Sequence, residues 1–114
     1  FEIEGEDNWM GRHFFTGGLM PAADTLLWFQ DALRIDDRWL LDGTHYQRTA
    51  NHWLREQDSR RDEVMAILRK AYGDAAPLWY QRWRMFWMAC AELFGYDHGR
   101  EWMVAHYRFT KEPA

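Results

Sequence analysis

Apolar positions recur at helical spacing in three consecutive segments that fill the middle and second half of the chain. The first extends from about 45 to 58, where Tyr46, Trp53 and Leu54 fall on one face. The second lies between about 59 and 73, and the third between about 74 and 95. The pattern therefore predicts three helices in succession, with no strand between them.

The ends of these helices have recognisable signals. Ser59 and Asp62 have the spacing of a capping box, which predicts that the chain restarts as a helix there. Gly73 is suited to the position after a helix, and Gly95 marks the end of the next one. Asp74 is expected to cap the third helix, and Pro77 lies in its first turn.

Two segments on either side of the helices have the character of strands. Residues 36–42 contain the apolar run Trp39-Leu40-Leu41 before Gly43, which predicts a short buried strand. Residues 102–110 alternate, so that one face is apolar (Met103, Ala105, Tyr107, Phe109) and the other is mixed. The sequence therefore predicts one strand before the helices and one after them.

The first third of the chain has weaker patterning. Residues 1–20 contain four glycines and no helical or strand period, which predicts a long loop. Pro21 is expected to open a short helix that continues to about Ala32. The start at Phe1, without an initiator Met or a signal peptide, indicates a piece cut from a longer protein.

These elements predict one partial domain of α/β class: residues 1–20 form a loop, and residues 21–114 form helices with two strands. Two strands alone make a poor sheet, so a mostly helical body with two such strands again suggests part of something larger. A chain of 114 residues is at most one small domain.

Composition removes several functional classes. The net charge of −4 and the lack of a basic run disfavour nucleic-acid binding. The single cysteine, Cys90, excludes an internal disulfide framework and a cysteine zinc site, and fits a reducing compartment. No apolar stretch approaches the ~20 residues of a membrane span. Aromatic residues make up 18% of the chain, with eight Trp, so they need a core, a pocket or a partner surface.

Two patterns that suggest ligand sites lack the necessary partners. His45 and His52 lie two helical turns apart, whereas metal-binding pairs on a helix prefer three- or four-residue spacing, so no metal site is predicted. Gly17 and Gly18 follow no strand and belong to no phosphate-loop motif, so a turn is the simpler interpretation.

Two other residues leave alternatives open. Tyr46 follows the strand end at Gly43, where its hydroxyl could meet a ligand or its ring could only pack. Cys90 lies in an apolar helical segment, where a thiol is more often an inert core group than a nucleophile.

The third predicted helix is apolar almost all round. A stripe along it contains Trp83, Phe86, Trp87, Cys90 and Phe94, and the opposite side carries Met85, Met88 and alanines. Such a stripe is usually part of a core. A helix that is apolar on both sides, however, must have both sides buried, or it must border an apolar ligand or a partner. Met and aromatic side chains suit the lining of such a pocket.

Three segments, in this order, resemble the C-terminal third of the cyclopropane fatty acyl phospholipid synthases, which use S-adenosylmethionine (SAM). They are Gly43 to Trp53 (GTHYQRTANHW), Met88 to Phe94 (MACAELF) and the terminal Phe109-Thr110-Lys111. The segment Phe15 to Pro21 also resembles a glycine-containing loop of the family. The resemblance covers residues 34–111 well and the first 33 loosely.

The resemblance implies the tail of a doubly wound SAM-dependent methyltransferase, whose last two strands are an antiparallel pair and whose three helices close over the lipid side of the site. It implies methyl transfer to a cis double bond of a phospholipid acyl chain, followed by proton removal by bicarbonate and ring closure. Tyr46 would orient the bicarbonate. Cys90, Trp83, Phe86, Trp87 and Phe94 would line or back the acyl pocket.

Other family members methylate amines, or add a methyl without closing a ring, so another small methyl acceptor is the alternative substrate. The glycine-rich SAM motif is missing, and this predicts that residues 1–114 alone do not bind SAM and are inactive. The resemblance implies a cytoplasmic protein, peripheral to the inner membrane face. The competing hypothesis is a non-enzymatic helical module that binds lipid or self-associates, and a homodimer of the fragment is expected under either view.

Overall fold

The structure is a computed structural model that describes residues 7–18 and 21–111. Its contacts divide the chain into two units, which are described separately. One unit contains the described residues up to Trp39 together with those from Tyr107 onwards, and the other is Leu40–His106. Among the described residues, no helix has both the length and the hydropathy needed to cross a bilayer.

The described elements follow the predicted order of strand, three helices and strand. They are α1 (Trp9–His13), β1 (Arg34–Asp42), α2 (Gly43–Ser59), α3 (Arg61–Tyr72), α4 (Ala76–Gly95) and β2 (Met103–Thr110), with short 3₁₀ turns at Thr25–Trp28, Gly73–Ala75 and Tyr96–Gly99. The two strands pair in an antiparallel sheet. The predicted class, a mostly helical α/β fragment with two antiparallel strands, is confirmed.

The first unit differs from the prediction in two places. The predicted loop contains the short helix α1, because the side chain of Asn8 accepts a hydrogen bond from the Gly11 amide (2.8 Å) and caps it. The prediction for Glu2 to Glu6, Leu19 and Met20 lies outside the described residues.

The predicted helix from Pro21 to Ala32 is wrong, since only the 3₁₀ turn at Thr25–Trp28 forms there. The apolar residues of this segment are consecutive rather than helically spaced. After this turn, the side-chain amide of Gln30 donates to the Leu27 carbonyl (2.9 Å) and accepts from the Ile35 amide (2.9 Å). The first bond satisfies a carbonyl that a helix would otherwise pair with its own backbone.

The prediction that the first strand is buried is also wrong. In β1, the side chain of Trp39 is 43% exposed and that of Leu40 is 47% exposed. A two-stranded sheet leaves most of both strand faces uncovered by other layers. In the first unit, Arg108 of β2 pairs with Asp36 of β1 (2.6 Å), which ties the two strands together at their outer ends.

In the second unit, α2 and α4 run antiparallel and pack closely, and α3 covers one end of the pair. The α2 face against α4 carries Gly43, Ala50 and Gln57, all buried and spaced by two helical turns. A side chain at Gly43 would collide with the carbonyl oxygens of Phe94 and Trp102. The core at the other end consists of Met65, Leu68, Ala76 and Tyr80.

Two of the predicted helix caps are wrong, whereas the helix ends are right. Arg60 separates α2 from α3, and the Ser59 hydroxyl donates back to the Glu56 carbonyl (3.0 Å) instead of capping α3. Asp74 falls in a 3₁₀ turn, so α4 has no side-chain cap. Gly73 ends α3 with a positive φ of 55°, as its residue type allows.

Candidate functional site

A row of aromatic rings lies along the paired helices α2 and α4 in the second unit. We define the aromatic row as Phe94, Tyr46, Trp53, Trp87 and Trp83. Successive ring centroids in this order are 4.5, 6.1, 5.0 and 5.5 Å apart. Such distances are typical of edge-to-face and offset aromatic contacts. The structure therefore brings the predicted Tyr46 into contact with one end of the predicted stripe.

Helical spacing explains how the row forms. Tyr46 and Trp53 are seven residues apart on α2, so both project from the same face. Trp83 and Trp87 are four residues apart on α4, and Phe94 lies two turns further along. Because the helices are antiparallel, the beginning of α2 meets the end of α4. The row thus passes from α4 at Phe94 to α2 at Tyr46 and Trp53, and returns to α4 at Trp87 and Trp83.

Tyr46 is partly buried, and its hydroxyl forms no hydrogen bond with any residue that the structure describes. Burial raises the pKa of this phenol, and the nearby Cys90 raises it further. The hydroxyl therefore stays protonated at neutral pH. It can donate a hydrogen bond to a ligand, and it is not suited to act as a phenolate base.

Cys90 is 6% exposed within α4, and burial raises the pKa of its thiol. A thiol without thiolate character is a poor nucleophile. Burial favours the core interpretation of Cys90 over the nucleophile interpretation.

An open cleft of about 470 Å³ lies between α2, α3 and α4. Its lining combines aromatic and aliphatic side chains with one amide: Trp53, Gln57, Val64, Ile67, Leu68, Trp83 and Trp87. No charged residue lines it. The cleft is therefore suited to an apolar or aromatic ligand.

The predicted pocket residues divide into those on the cleft and those behind it. Trp83 and Trp87 line the cleft directly. Phe86 is buried and packs edge-on against Trp87, with ring centroids 4.9 Å apart. Cys90 and Phe94 are not part of the lining, and Phe94 contacts Tyr46 instead. Their roles as pocket residues remain predictions.

The sequence analysis missed Gln57 and assigned Trp53 only to a helix face. Gln57 is a buried polar residue whose side chain bonds to α4, and Trp53 joins Tyr46 to the cleft. A signal was present for Gln57, because it continues the seven-residue spacing of Gly43 and Ala50. A single polar residue that continues a helix face of small residues is expected to be buried, and a buried polar group needs a hydrogen-bond partner.

That residues 1–114 alone do not bind SAM stays a prediction. The one strand-to-helix junction that begins with glycine is Gly43, and its surroundings are closed. Asp42 accepts hydrogen bonds from the amide (2.9 Å) and hydroxyl of Thr44, and Gly99 packs against the same helix end. No group of three or more His, Cys, Asp or Glu side chains among residues 7–18 and 21–111 could hold a metal ion.

No family model matches the chain. Curated relatives include (S)-coclaurine N-methyltransferase of Papaver somniferum, which is 37% identical over 96% of this chain and 32% of its own length. They also include (S)-coclaurine N-methyltransferase of Thalictrum flavum subsp. glaucum, 32% identical over 98% of this chain and 32% of its own length. Pavine N-methyltransferase of the same plant is 30% identical over 98% of this chain and 33% of its length.

The fold is similar to a crystal structure of coclaurine N-methyltransferase bound to N-methylheliamine and SAH. The TM-score is 0.78 with 32% sequence identity, and the match covers 97% of this chain and 34% of the other. This chain corresponds to the C-terminal part of that methyltransferase fold.

The chain spans about a third of the length of the curated relatives that it matches. Each of these relatives is named as an N-methyltransferase. The comparisons therefore support the methyltransferase resemblance in its general form. They give no support to the narrower expectation of a cyclopropane synthase that acts on phospholipid acyl chains.

Proposed function

We propose that this chain is the C-terminal part of a SAM-dependent N-methyltransferase whose acceptor is an amine attached to an aromatic ring system. The observation that carries the proposal is the similarity to coclaurine N-methyltransferase, which covers 97% of this chain at 32% identity with a TM-score of 0.78. That protein was crystallised with N-methylheliamine and SAH, and the other relatives are also named for methylation of nitrogen.

In this proposal, the cleft on the second unit binds the acceptor. Trp83, Trp87 and Trp53 present ring faces and edges, against which an aromatic substrate can stack. The same rings stabilise the positive charge that develops on the nitrogen as it accepts the methyl group, because the negative faces of indole rings hold cations. The aliphatic residues Ile67 and Val64 complete an apolar wall. The cleft therefore suits a molecule with both an aromatic body and a basic nitrogen.

SAM, when it is bound elsewhere in the protein, supplies an electrophilic methyl group. The residues of this chain act on the acceptor: they bind it, orient it and keep water from its nitrogen. An apolar wall also favours the neutral amine, the only form whose lone pair can accept the methyl group. Tyr46 contributes a protonated hydroxyl that can hold a polar group of the acceptor by a hydrogen bond.

The aliphatic side of the cleft provides the observation that favours a second candidate. Val64, Ile67 and Leu68 form a surface that an acyl chain could also occupy. In that case Tyr46 would orient bicarbonate, as the resemblance to cyclopropane synthases implies. Peripheral contact with a membrane belongs to this second proposal, because its substrate lies in a bilayer.

The two candidates differ in the atom that receives the methyl group. The full-length protein is incubated with methyl-tritiated SAM and either heliamine, the secondary amine that corresponds to N-methylheliamine, or vesicles of oleoyl phosphatidylglycerol. We expect radioactivity in N-methylheliamine and none in the lipid. Label in the acyl chains would replace the amine proposal with the second candidate, and label in neither product would contradict both.

An alicyclic amine of the same pKa and similar size, without the aromatic ring, is the matched control substrate. It offers the same nitrogen but cannot stack on Trp83 or Trp87. If the aromatic cleft selects the acceptor, kcat/KM for the control is at least about tenfold lower, as expected for the loss of one aromatic contact and its apolar area. Equal values would contradict the role of the cleft.

A further inference from the structure

The end of α2 is joined to α4 by a small network of buried and half-buried hydrogen bonds. Gln57, 8% exposed, uses both ends of its side-chain amide: Nε2 donates to the Tyr80 carbonyl (3.0 Å), and Oε1 accepts from the indole Nε1 of Trp87 (2.9 Å). The indole nitrogen has one hydrogen to donate, so this bond fixes the direction in which the Trp87 ring points.

The neighbouring residue, Asp58, accepts hydrogen bonds from the same stretch of α4. Its Oδ1 accepts from the Tyr80 hydroxyl (2.9 Å) and from Arg84 Nε (2.8 Å), and its Oδ2 accepts from Arg84 Nη2 (3.1 Å). The Gln57-Asp58 pair thus holds two turns of α4, from Tyr80 to Trp87. The Asp58 bonds go to the side chains of Tyr80 and Arg84, which do not line the cleft, whereas Gln57 also accepts a bond from the cleft side chain of Trp87.

Trp87 occupies the centre of the ring contacts around the cleft. Its ring lies 5.0 Å from that of Trp53, 5.5 Å from that of Trp83 and 4.9 Å from that of Phe86. A rotation of the Trp87 indole would therefore disturb the stacking surface formed by Trp53 and Trp83 as well. The hydrogen bond that Trp87 donates to Gln57 therefore bears on the shape of the whole aromatic wall.

We propose that Gln57 is a positioning residue that fixes the Trp87 indole in the cleft wall and thereby sets the affinity for the aromatic amine acceptor. The inference rests on the proposed function, because it names the group that shapes the acceptor site. Both ends of the Gln57 side-chain amide already bond within the protein, to the Tyr80 carbonyl and from the Trp87 indole, and in this proposal its effect on the acceptor passes through Trp87.

The decisive variants are Gln57→Met, Trp87→Phe and the double variant, studied in the full-length protein. Gln57→Met keeps the side-chain length and removes the acceptor, and Trp87→Phe keeps a ring and removes the indole N–H. Each single variant is expected to raise KM for heliamine about tenfold and to leave kcat within about twofold, because the lost interaction contributes equally to substrate and transition-state binding.

The double variant distinguishes positioning from unrelated damage. If the two residues act through one hydrogen bond, removing both raises KM no more than about twofold beyond either single variant. Gln57→Glu retains an acceptor for the indole, so it restores KM toward the wild-type value even where it lowers Tm. Multiplication of the two single effects, or an unchanged KM in folded Gln57→Met, would overturn the proposal.

Tyr80→Phe is the control for stability. It removes the hydroxyl that donates to Asp58 and to the Gln57 backbone carbonyl (3.3 Å), but it leaves both side-chain bonds of Gln57, to the Tyr80 carbonyl and from Trp87, intact. We expect a lower Tm and an unchanged KM for heliamine. A rise in KM as large as that of Gln57→Met would show that the loss of α4 stability alone explains the effect, and would overturn the positioning role.

A second measurement does not depend on catalysis. The indole N–H signal of Trp87 in the ¹⁵N-labelled full-length protein is identified by its absence in Trp87→Phe. In Gln57→Met this signal is expected to move upfield and to exchange faster with water. If the wild type fails to methylate heliamine, the proposed function fails, while an unchanged Trp87 signal in Gln57→Met would contradict the positioning bond independently.

Discussion

The ring of Tyr46 packs in the protein, while its hydroxyl can still bind a ligand. The ring packs against Phe94 and Trp53, with centroids 4.5 and 6.1 Å away. The hydroxyl has no partner among the residues that the structure describes, and burial raises its pKa. At the sequence level packing and ligand contact were both open for Tyr46, and the geometry allows both at once.

Tyr46→Phe is therefore expected to leave the fold intact and to reduce function. Only a hydroxyl without a described partner is removed, so Tm should change by no more than about 2 °C. Loss of one hydrogen bond to a polar group of the acceptor should lower kcat/KM for heliamine by about 5- to 100-fold. Steady-state kinetics and a thermal melt of the full-length protein provide the check. An unchanged kcat/KM would assign Tyr46 to packing alone.

Cys90 provides a test of burial in α4. Because burial raises its pKa and leaves the side chain 6% exposed, the thiolate is scarce and shielded at pH 8. Reaction with a chromogenic disulfide reagent should be at least about 100-fold slower than for the same protein in denaturant, and should accelerate as pH rises toward the raised pKa. Other cysteines of the full-length protein are first replaced by serine. Rapid labelling of the native protein would contradict a buried Cys90.

At the scale of elements, the long helices could be predicted from their sequence and the first third of the chain could not. Each predicted helix has apolar residues three or four apart, and Gly73 and Gly95 end two of them. The segment near Thr25–Trp28 has consecutive apolar residues, and its geometry depends on the Gln30 hydrogen bonds, which no local pattern indicates.

The candidate site divides in the same way. The aromatic residues of α4 could be found as a stripe, because one helix places them together. Their assembly with Tyr46 and Trp53 depends on the antiparallel packing of α2 on α4. The seven-residue spacing indicates that Gln57 is buried, but its partner Trp87 lies 30 positions away and is not indicated by that spacing. Long-range contacts of this kind are tertiary and leave little trace in a single sequence.

The close approach of α2 and α4 depends on Gly43. An alanine there would place its Cβ against the carbonyl oxygens of Phe94 and Trp102, and backbone groups cannot move aside easily. Gly43→Ala should destabilise the protein by roughly 3 kcal/mol or more. Gly17→Ala is the matched control, because nothing lies within 4 Å of its added Cβ, and it should cost no more than about 0.5 kcal/mol. Equal urea midpoints for the two variants would contradict the packing.

The pairing of Asp58 with Arg84 and Tyr80 makes the α2–α4 contact sensitive to acid. The hydrogen bond from Arg84 lowers the pKa of Asp58 below its ordinary value of 3.8. A depressed carboxyl pKa stabilises the fold above the ordinary value, and this contribution disappears as pH falls through the lowered pKa. Asp58→Asn should thus be less stable than the wild type at pH 6, and the difference should begin to shrink near pH 3.8 and vanish only below the lowered pKa. A difference that stays constant with pH would exclude this linkage.

On the scale of the whole molecule, the chain contributes one side of a proposed active site. It spans about a third of the relatives' length, and its sequence contains no glycine-rich SAM motif. Isothermal titration of residues 1–114 with SAM should accordingly give no binding heat. Tight binding would contradict the assignment of SAM recognition to other parts of the protein.

The most direct test of the central claim is photoaffinity labelling of the full-length protein with a heliamine derivative that carries a diazirine on its aromatic ring. We predict that the label appears on peptides of α2 and α4 that contain Trp53, Trp83 or Trp87, and that excess heliamine prevents it. The alicyclic amine should compete poorly. Labelling that heliamine displaces, but that falls entirely outside residues 40–106, would contradict the claim that this chain forms the acceptor side of an amine N-methyltransferase.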